Sequence, residues 1–264
     1  MAQETEDAET APSTGSLGFA ALLGSAEPEG FSRADQAAHQ LETAITVGLL
    51  RGGERLPSEP ELASRLGIST ITLRQALASL RSRGIITTKR GRGGGSIVSD
   101  GAVRSPEDLV RRLRATSTEE LRDLGDVSGA VASASARLAA LRADEQDVQR
   151  LLSLAEEFRG ASDLAALRRT DSRFHIALGV AAQSRRLTSA TVQVQGEFAP
   201  LLWAPAAHLA HARTAADEHE RIVEAIAAGD AERAHALAIV HSERDTEAVV
   251  DAHLDLLLTE PADR

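Results

Sequence analysis

The chain has no cysteine, and only 2% of its 264 residues are aromatic. The absence of cysteine excludes disulfides and thiolate metal sites, and it is consistent with a reducing cytoplasm. With so few aromatic side chains, the 42% of hydrophobic residues must build a core mainly from leucine, alanine, valine and isoleucine. An alanine- and leucine-rich composition of this kind favours helices.

Long apolar runs are also missing. No segment approaches the roughly 20 apolar residues that a membrane helix needs. No basic flank precedes an apolar segment at the N-terminus, so no secretory signal is predicted either. We therefore expect a cytoplasmic protein, with a length that suits one large domain or two ordinary ones.

Charge is distributed in three blocks. Residues 1–30 hold six acidic and no basic residues, residues 31–98 hold five acidic and ten basic ones, and residues 99–264 hold twenty-eight acidic and nineteen basic ones. Only the middle block suits a polyanion, and the acidic flanks would repel one. Residues 1–31 are predicted to be a disordered acidic tail, because they are acidic and have no sustained periodicity.

The middle block, residues 32–100, predicts a winged helix-turn-helix. A first helix is expected over about 32–51, and Ser58 with Glu61 predicts a capping box at the start of a second. Gly67 ends that helix and Ser69 can cap a third. The apolar stripe of the third helix has i, i+3, i+4, i+7 spacing and consists of Leu73, Ala76, Leu77 and Leu80.

A glycine stop and two short β runs follow the third helix. Gly84 ends it, the runs are expected at residues 85–88 and 96–98, and the loop KRGRGGG lies between them. No acidic residue occurs from Ser69 to Ser99, whereas six basic residues do. These basic side chains would lie on the outer face of the third helix and in the wing.

Several side chains in this block are suited to DNA. Thr70 and Arg74 would face outward at the N-terminal end of the third helix, which enters the major groove in a helix-turn-helix. Arginine makes bidentate contacts with guanine or phosphate, and hydroxyls near a helix N-terminus can bind phosphate. The candidates are Ser69, Thr70, Thr72, Arg74, Lys89, Arg90 and Arg92. The alternative is a solvated cationic face without a ligand.

The segment LPSEPELASRLGISTITLRQALASLRSRGIITTKRGRGGG resembles the winged helix-turn-helix of GntR-type bacterial regulators. It combines an LPSE turn, a recognition segment G-[IV]-S-x-x-T-[LV]-R and an R-G-x-G wing. The resemblance implies DNA contacts at Ser69, Thr70, Thr72, Arg74, Arg90 and Gly91. Pro60 and Thr70 stand where the family often has arginine, a departure that bears on the operator sequence more than on DNA binding.

Residues 105–258 predict an all-α domain of six or seven helices. Four ionisable residues there lie on apolar helical stripes and would point into the core: Asp171, His175, His219 and His241. One aspartate and three imidazoles suit a divalent first-row metal ion. On spacing alone, a hydrogen-bonded Asp–His pair with two unrelated core histidines is an equal alternative.

The order D-x-x-x-H, a helix starting with E-H, AIAAGDAERA and a later histidine resembles the FCD ligand-sensing domain of FadR-like GntR regulators, over roughly residues 106–257. The resemblance implies that Asp171, His175, His219 and His241 bind zinc, nickel or manganese. It also implies a small carboxylate effector held by an arginine and a glutamate, but Ser128 and Ala132 occupy those positions. Ser184 replaces a common asparagine, and Arg137 is an alternative effector ligand.

The sequence therefore predicts a mainly α protein that regulates transcription, expected to be a repressor and a homodimer on a palindromic operator. The effector, expected to be an organic acid, would shift the dimer geometry by binding one conformation better than the other. Two alternatives stay open: a constitutive DNA-binding protein with a structural metal, and a metal-dependent hydrolase in which Asp and His side chains activate water. The hydrolase lacks an adjacent general base, so no enzyme is expected.

Overall fold

The computed structural model describes residues 32–89, 91, 94–99, 105–205 and 209–259. The predicted acidic tail, residues 1–31, lies outside the described residues. The elements of the N-terminal part are helices α1 (Arg33–Thr46), α2 (Glu59–Leu66) and α3 (Thr70–Ser82) and strands β1 (Ile86–Lys89) and β2 (Gly95–Val98). Those of the C-terminal part are α4 (Pro106–Ala115), α5 (Thr118–Arg142), α6 (Glu145–Arg159), α7 (Leu164–Ala181), α8 (Arg185–Leu202), α9 (Leu209–Ala227) and α10 (Ala231–Leu258).

Local capping chemistry explains most of the helix ends. The Ser69 hydroxyl accepts a hydrogen bond from the Thr72 amide at 3.1 Å and so caps α3. Gly67 has φ +65° at the end of α2, a left-handed conformation that glycine adopts without a steric penalty. The predicted capping box of α2 is wrong in one respect: Ser58 is the N-cap but makes no side-chain capping bond. Glu61 instead pairs with Arg65, one turn further along, at 2.6 Å.

The wing is a two-stranded antiparallel sheet in which Ile86 pairs with Val98 and Lys89 pairs with Gly95. The strands lie within one residue of their predicted positions. Ile86 and Val98 are buried, and this end of the sheet belongs to the same hydrophobic cluster as the apolar stripe of α3. The wing loop is therefore anchored to the helix that carries the basic face.

The seven helices α4–α10 form the predicted all-α bundle in the described part of the chain, with α5 and α10 as extensively paired neighbours. Asp230 caps α10 by accepting from the Arg233 amide at 3.0 Å. Pro200 lies in the last turn of α8, which ends at Leu202. No described helix is both long enough and apolar enough to cross a bilayer.

The two parts meet where α1 packs against α8 and where Gly48, which follows α1, lies beside Arg169 of α7. Ile176 of α7 and Val192 of α8 belong to the same buried cluster as the core of α1, α2 and α3. Thr43 of α1 packs so closely on Gly196 that a Cβ there would lie 2.6 Å from the threonine Cγ2. Helix α7 therefore contacts the N-terminal part directly.

Candidate functional site

The N-terminal turn of α3 is open to solvent on one side. Its buried residues are the predicted stripe Leu73, Ala76, Leu77 and Leu80, and Thr70, Arg74 and Arg81 are exposed, as the stripe predicted. The Ser69 hydroxyl lies 2.9 Å from the Thr72 hydroxyl and is used for the helix cap. Ser69, Thr70, Thr72 and Arg74 thus lie together at the N-terminal end of α3.

Arg74 has an ionic partner within the protein. Its Nε donates to the Glu59 carboxylate at 2.7 Å, while the arginine side chain stays 68% exposed. An exposed pair of this kind contributes about 0–1 kcal/mol. The guanidinium can therefore exchange Glu59 for a phosphate or a base edge at little cost.

Ile71 and Gln75 were missed by sequence reasoning. Ile71 is 70% exposed and Gln75 is exposed beside Arg74. The sequence did indicate that both residues are exposed, because their positions lie outside the buried stripe that includes Leu73 and Leu77. An apolar side chain can contact a thymine methyl and a glutamine can pair with adenine, so both residues extend the candidate interface.

The wing loop is described only in part. Gly91 has φ +107°, and its carbonyl accepts from the Gly94 amide at 2.8 Å. Lys89 is exposed at the end of β1. The predicted DNA contacts Arg90 and Arg92 lie outside the described residues.

The four predicted metal ligands come together in the core of the helical bundle. Asp171 and His175 lie on α7, His219 on α9 and His241 on α10, and their candidate ligand atoms all lie within 4.8 Å of one another. Nε2 of His241 lies 3.2 Å from Nε2 of His219 and 3.3 Å from Nε2 of His175. Asp171 Oδ1 lies 3.5 Å from His219 Nε2 and 3.7 Å from His175 Nε2.

The hydrogen bond at the outer nitrogen of His241 identifies its tautomer. Nδ1 lies 2.9 Å from Oε2 of the buried Glu218, and a carboxylate accepts, so Nδ1 carries the proton. In the neutral ring, Nε2 then has only a lone pair, and it faces two other Nε2 atoms. This lone pair can accept an N–H from one of the two neighbours, and a cation between the three nitrogens would be bound by all of them.

A divalent ion fits this geometry. Asp171 Oδ1 is buried and has no hydrogen-bond partner in the described chain, although a buried carboxylate oxygen without a partner is costly. Around an ion with bonds of about 2.0–2.1 Å, neighbouring ligand atoms lie roughly 3.0 Å apart in an octahedron and 3.4 Å apart in a tetrahedron. The distances between neighbouring donor atoms here are close to those values.

Burial keeps His175 and His219 in the neutral form, which is the form that binds metal. It lowers the pKa of His175 to about 3, with the neighbouring His241 as the second cause. Burial and the same neighbour also lower the pKa of His219 well below its usual value. Both rings are therefore neutral at pH 7, and metal binding needs no deprotonation of either.

Aromatic rings enclose the cluster in a chain that has few of them. The Phe174 ring stacks on His219 at 3.9 Å between ring centroids, and Phe158 lies on the same histidine at 4.8 Å. The Trp203 indole N–H donates to Oδ2 of Asp171 at 3.0 Å, which leaves Oδ1 directed at the imidazoles. These contacts exclude water and fix the carboxylate.

Two further polar residues contact the predicted ligands and were not predicted. Glu218 accepts from His241 and is itself paired with Arg244. Oδ2 of Asp245 lies 3.4 Å from Nε2 of His241. Its Oδ1 lies 2.8 Å from Nε2 of His211. The i, i+4 spacing of His241 and Asp245 was the available signal.

The pKa values of Asp171 and Asp245 are shifted in opposite directions. Burial, followed by repulsion from Asp245, raises the pKa of Asp171. Burial alone would raise the pKa of Asp245 as well, but the charge of His241 and the hydrogen bond from His211 outweigh it, so that pKa is lowered. Asp245 is thus the more strongly ionised carboxylate in the absence of an ion.

The residues considered for effector binding lie in different environments. Arg137 is on the surface, where it pairs with Glu232 at 3.2 Å and stays about half exposed; its effector role stays a prediction. Ser128 and Ala132 are buried on α5, and Ser184 caps α8. Arg168 was missed: it is 3% exposed, and its Nε has no hydrogen-bond partner in the described chain.

These features define a DNA-binding regulator with a winged helix-turn-helix and an all-α sensor-type domain. Two family models match: the bacterial regulatory proteins of the gntR family over residues 33–94 and the FCD domain over residues 123–244. RmpR of Mycobacterium gastri, a protein assigned as an HTH-type transcriptional regulator, is 41% identical over 230 residues, which cover 85% of this chain and 82% of that protein. The chain belongs to the GntR family of transcriptional regulators.

Other similar proteins agree with this membership. The Glc operon transcriptional activator of Escherichia coli K12 is 33% identical over 156 residues, which cover 57% of this chain and 61% of that protein. The solved structure of E. coli McbR/YncC has a TM-score of 0.52 at 18% identity and covers 84% of this chain and 99% of that chain, which shows a shared fold. These relatives are regulators rather than enzymes, so the hydrolase alternative is set aside.

Proposed function

We propose that this protein is a repressor whose operator binding is controlled by a small carboxylic acid, and that its FCD domain holds a divalent metal ion. The observation that carries the proposal is the buried set of three imidazole nitrogens and one carboxylate oxygen, which all lie within 4.8 Å of one another. Zinc, nickel and manganese all accept such ligands. When bound, the ion would supply a Lewis-acidic centre for a carboxylate oxygen.

The operator would be a palindrome read by a homodimer. Two-fold operators match two-fold proteins, and an apolar stripe on α5 supports a second copy of this chain as the partner. That stripe has a spacing of three or four residues, is exposed or half-buried, and comprises Val127, Val131, Ala134, Leu138 and Leu141. A regulator that binds chromosomal DNA would work in the cytoplasm.

Arg168 supports an acid as the effector. Burial, with Arg169 as the second cause, lowers its pKa to about 10, so the guanidinium is still charged at pH 7. No acidic side chain of the described residues pairs with it, and an uncompensated buried cation is unfavourable. A ligand carboxylate would compensate this charge. One relative, in E. coli, is assigned to regulation of the L-lactate dehydrogenase operon, which makes L-lactate a reasonable first probe.

Replacing Arg168 by glutamine should remove the response to acids. We expect L-lactate, or another small acid of a screening panel, to raise the melting temperature of the wild type, and the Arg168→Gln variant not to respond. At 100 times its Kd a ligand stabilises by about 2.7 kcal/mol. Without ligand the variant should be at least as stable as the wild type, because an unpaired buried charge has been removed. Thermal unfolding with each acid measures both effects.

The matched control for that variant is Arg173→Gln, on the same helix, whose arginine pairs with Glu157. It should keep the wild-type response to every acid. If Arg168→Gln and Arg173→Gln responded equally to an acid that stabilises the wild type, the role of Arg168 would be excluded.

Helix α7 offers a direct connection between the two parts. His175 faces the cluster, while its neighbour Ile176 is packed into the core of the DNA-binding domain. The side chain of Arg169 packs against Gly48: a Cβ atom added to Gly48 would lie 3.5 Å from it. A cleft of about 690 Å³ lies beside this junction and is lined by residues of α1, α3, α4 and α8. A small shift of α7 would therefore change the orientation of α1 relative to the bundle.

Replacing Gly196 by valine should uncouple the two parts. The new side chain would collide with Thr43, because even a Cβ would lie 2.6 Å from its Cγ2, so α1 must move away from α8. We expect the operator affinity or its dependence on the effector to change by at least about 5-fold, the lower end of typical allosteric couplings. The metal content should stay at the wild-type level, since no ligand is touched.

Fluorescence anisotropy with and without effector measures that change. Gly160→Ala is the control, because a Cβ there would make only ordinary contacts of 3.5 Å or more. Equal operator affinity and equal effector response in the valine variant and the wild type would show that the junction does not transmit the signal.

The experiment that tests the function as a whole is recovery of bound fragments from sheared genomic DNA of the source organism. A few sharp peaks that share a palindrome are expected, and reporter expression from those promoters should rise when the protein is deleted. A featureless distribution would instead favour a constitutive DNA-binding protein with a structural metal. A fall in expression on deletion would make the protein an activator.

A further inference from the structure

A second buried carboxylate faces the imidazole cluster. Asp245 lies on α10, one turn after His241, and is 4% exposed. Its Oδ2 lies 3.4 Å from Nε2 of His241, the nitrogen that also faces His175 and His219. This distance is close to the 3.2 and 3.3 Å that separate the imidazole nitrogens themselves.

The two acids of the cluster are held in the same manner. Trp203 donates to Oδ2 of Asp171 and leaves Oδ1 facing the imidazoles. His211 bonds to Oδ1 of Asp245 and leaves Oδ2 facing them. The rings of Trp203 and His211 lie beside each other, 5.6 Å between centroids. Each carboxylate thus has one oxygen anchored from outside and one beside the imidazole nitrogens: Oδ1 of Asp171 lies by His219 and His175, and Oδ2 of Asp245 lies by His241.

A simple hydrogen bond between Asp245 and His241 does not account for this arrangement. Nδ1 of His241 bonds to Glu218, and Nε2 faces three atoms at 3.2–3.4 Å: Nε2 of His219, Nε2 of His175 and Oδ2 of Asp245. One N–H on Nε2 could point at only one of these three atoms, so it would not account for the other two contacts. A cation bound by all four atoms accounts for them together.

We propose that Asp245 is a fifth protein ligand of the metal ion, through Oδ2. The inference rests on the metal ion of the proposed function. Two carboxylates then balance the charge of a divalent ion inside the core, where an unbalanced charge is costly. Five nitrogen and oxygen ligands also favour ions that accept five or six ligands over a purely tetrahedral site.

The fifth ligand has a consequence for the effector. A carboxylate of the chain itself lies where an acid from solution would approach His241 and the ion. An incoming acid must therefore displace Asp245 or bind at a position still open on the ion. With Asp245 bound, the coordination of the ion would not depend on the effector.

Replacing Asp245 by asparagine tests the assignment, because asparagine has nearly the same shape and can keep a hydrogen bond to His211. We expect the Kd for Zn²⁺ and for Mn²⁺ to rise at least about 10-fold, since even residues outside the ligand set typically contribute 10- to 100-fold. The visible absorption of bound Co²⁺ should intensify as the coordination number falls. Asp245→Ala should have the same effects, to a larger extent.

The control is Asp251→Asn, which makes the same chemical change at an exposed position of the same helix. It should leave the Kd values and the Co²⁺ spectrum unchanged. Wild-type Kd values and an unchanged spectrum in Asp245→Asn would overturn the inference and make Asp245 only a partner of His211. A wild-type protein that binds none of the three ions would overturn the metal centre itself, and the fifth ligand with it.

Discussion

Arg74→Ala is expected to abolish specific operator binding. A bidentate contact between arginine and a base discriminates by about 1–3 kcal/mol, and in a two-fold complex the loss occurs in both half-sites, so about 2–6 kcal/mol is lost. The side chain is 68% exposed, and its bond to Glu59 is at the surface. Folding should therefore be unaffected. Titration of labelled operator and of a scrambled duplex, at two salt concentrations, measures the loss.

The scrambled duplex separates base recognition from charge. Its affinity should fall much less, because a lost phosphate contact weakens binding to all sequences alike and reduces the salt slope by about 1. Arg122→Ala, at an exposed position of α5 in the helical domain, should bind both duplexes like the wild type. Retained nanomolar affinity of Arg74→Ala for the operator would refute the assignment of Arg74 to the interface.

His241→Ala is expected to eliminate bound metal and to lower the melting temperature. The substitution removes the imidazole that lies closest to both of the others. It also leaves the buried Glu218 with only Arg244 of its two partners, and a buried acceptor that loses a hydrogen bond typically costs about 1–3 kcal/mol. His219→Ala should lose the metal as well. Elemental analysis of the purified proteins and thermal unfolding with and without a chelator measure both effects.

The chelator separates the two contributions to stability. It should lower the melting temperature of the wild type by about 5–10 °C, if the ion contributes about 2.7 kcal/mol, and should not change that of His241→Ala. His253→Ala is the matched control, because His253 is also buried but bonds to the Leu113 carbonyl. That variant should be less stable and still bind metal. Unchanged metal content in both His219→Ala and His241→Ala would exclude the site.

Periodicity within single helices was enough to predict much of this structure. The stripe of α3 placed Thr70 and Arg74 on the outer face, because a period of 3.6 residues fixes which side chains oppose a buried stripe. The same argument directed Asp171, His175, His219 and His241 inward. Spacing alone did not exclude unrelated core histidines. The resemblance to the FCD family, rather than spacing, grouped the four residues as one set of metal ligands.

Periodicity was less informative where a residue had competing partners. Glu61 had the right spacing for a capping box, but Arg65 lies one turn further on and binds it instead. That outcome does not follow from local sequence alone.

The sequence by itself determined the two-part organisation, the helical bundle and the residue types at the four central positions of the cluster, because each depends on interactions within one helix or on a contiguous motif. Only the tertiary structure decided that Asp245 and His211 face each other across α9 and α10, that Arg168 is buried, and that Ile176 contacts the DNA-binding domain. These contacts join residues far apart in the chain. They depend on the rotation and offset of packed helices, which the sequence of a single helix does not specify.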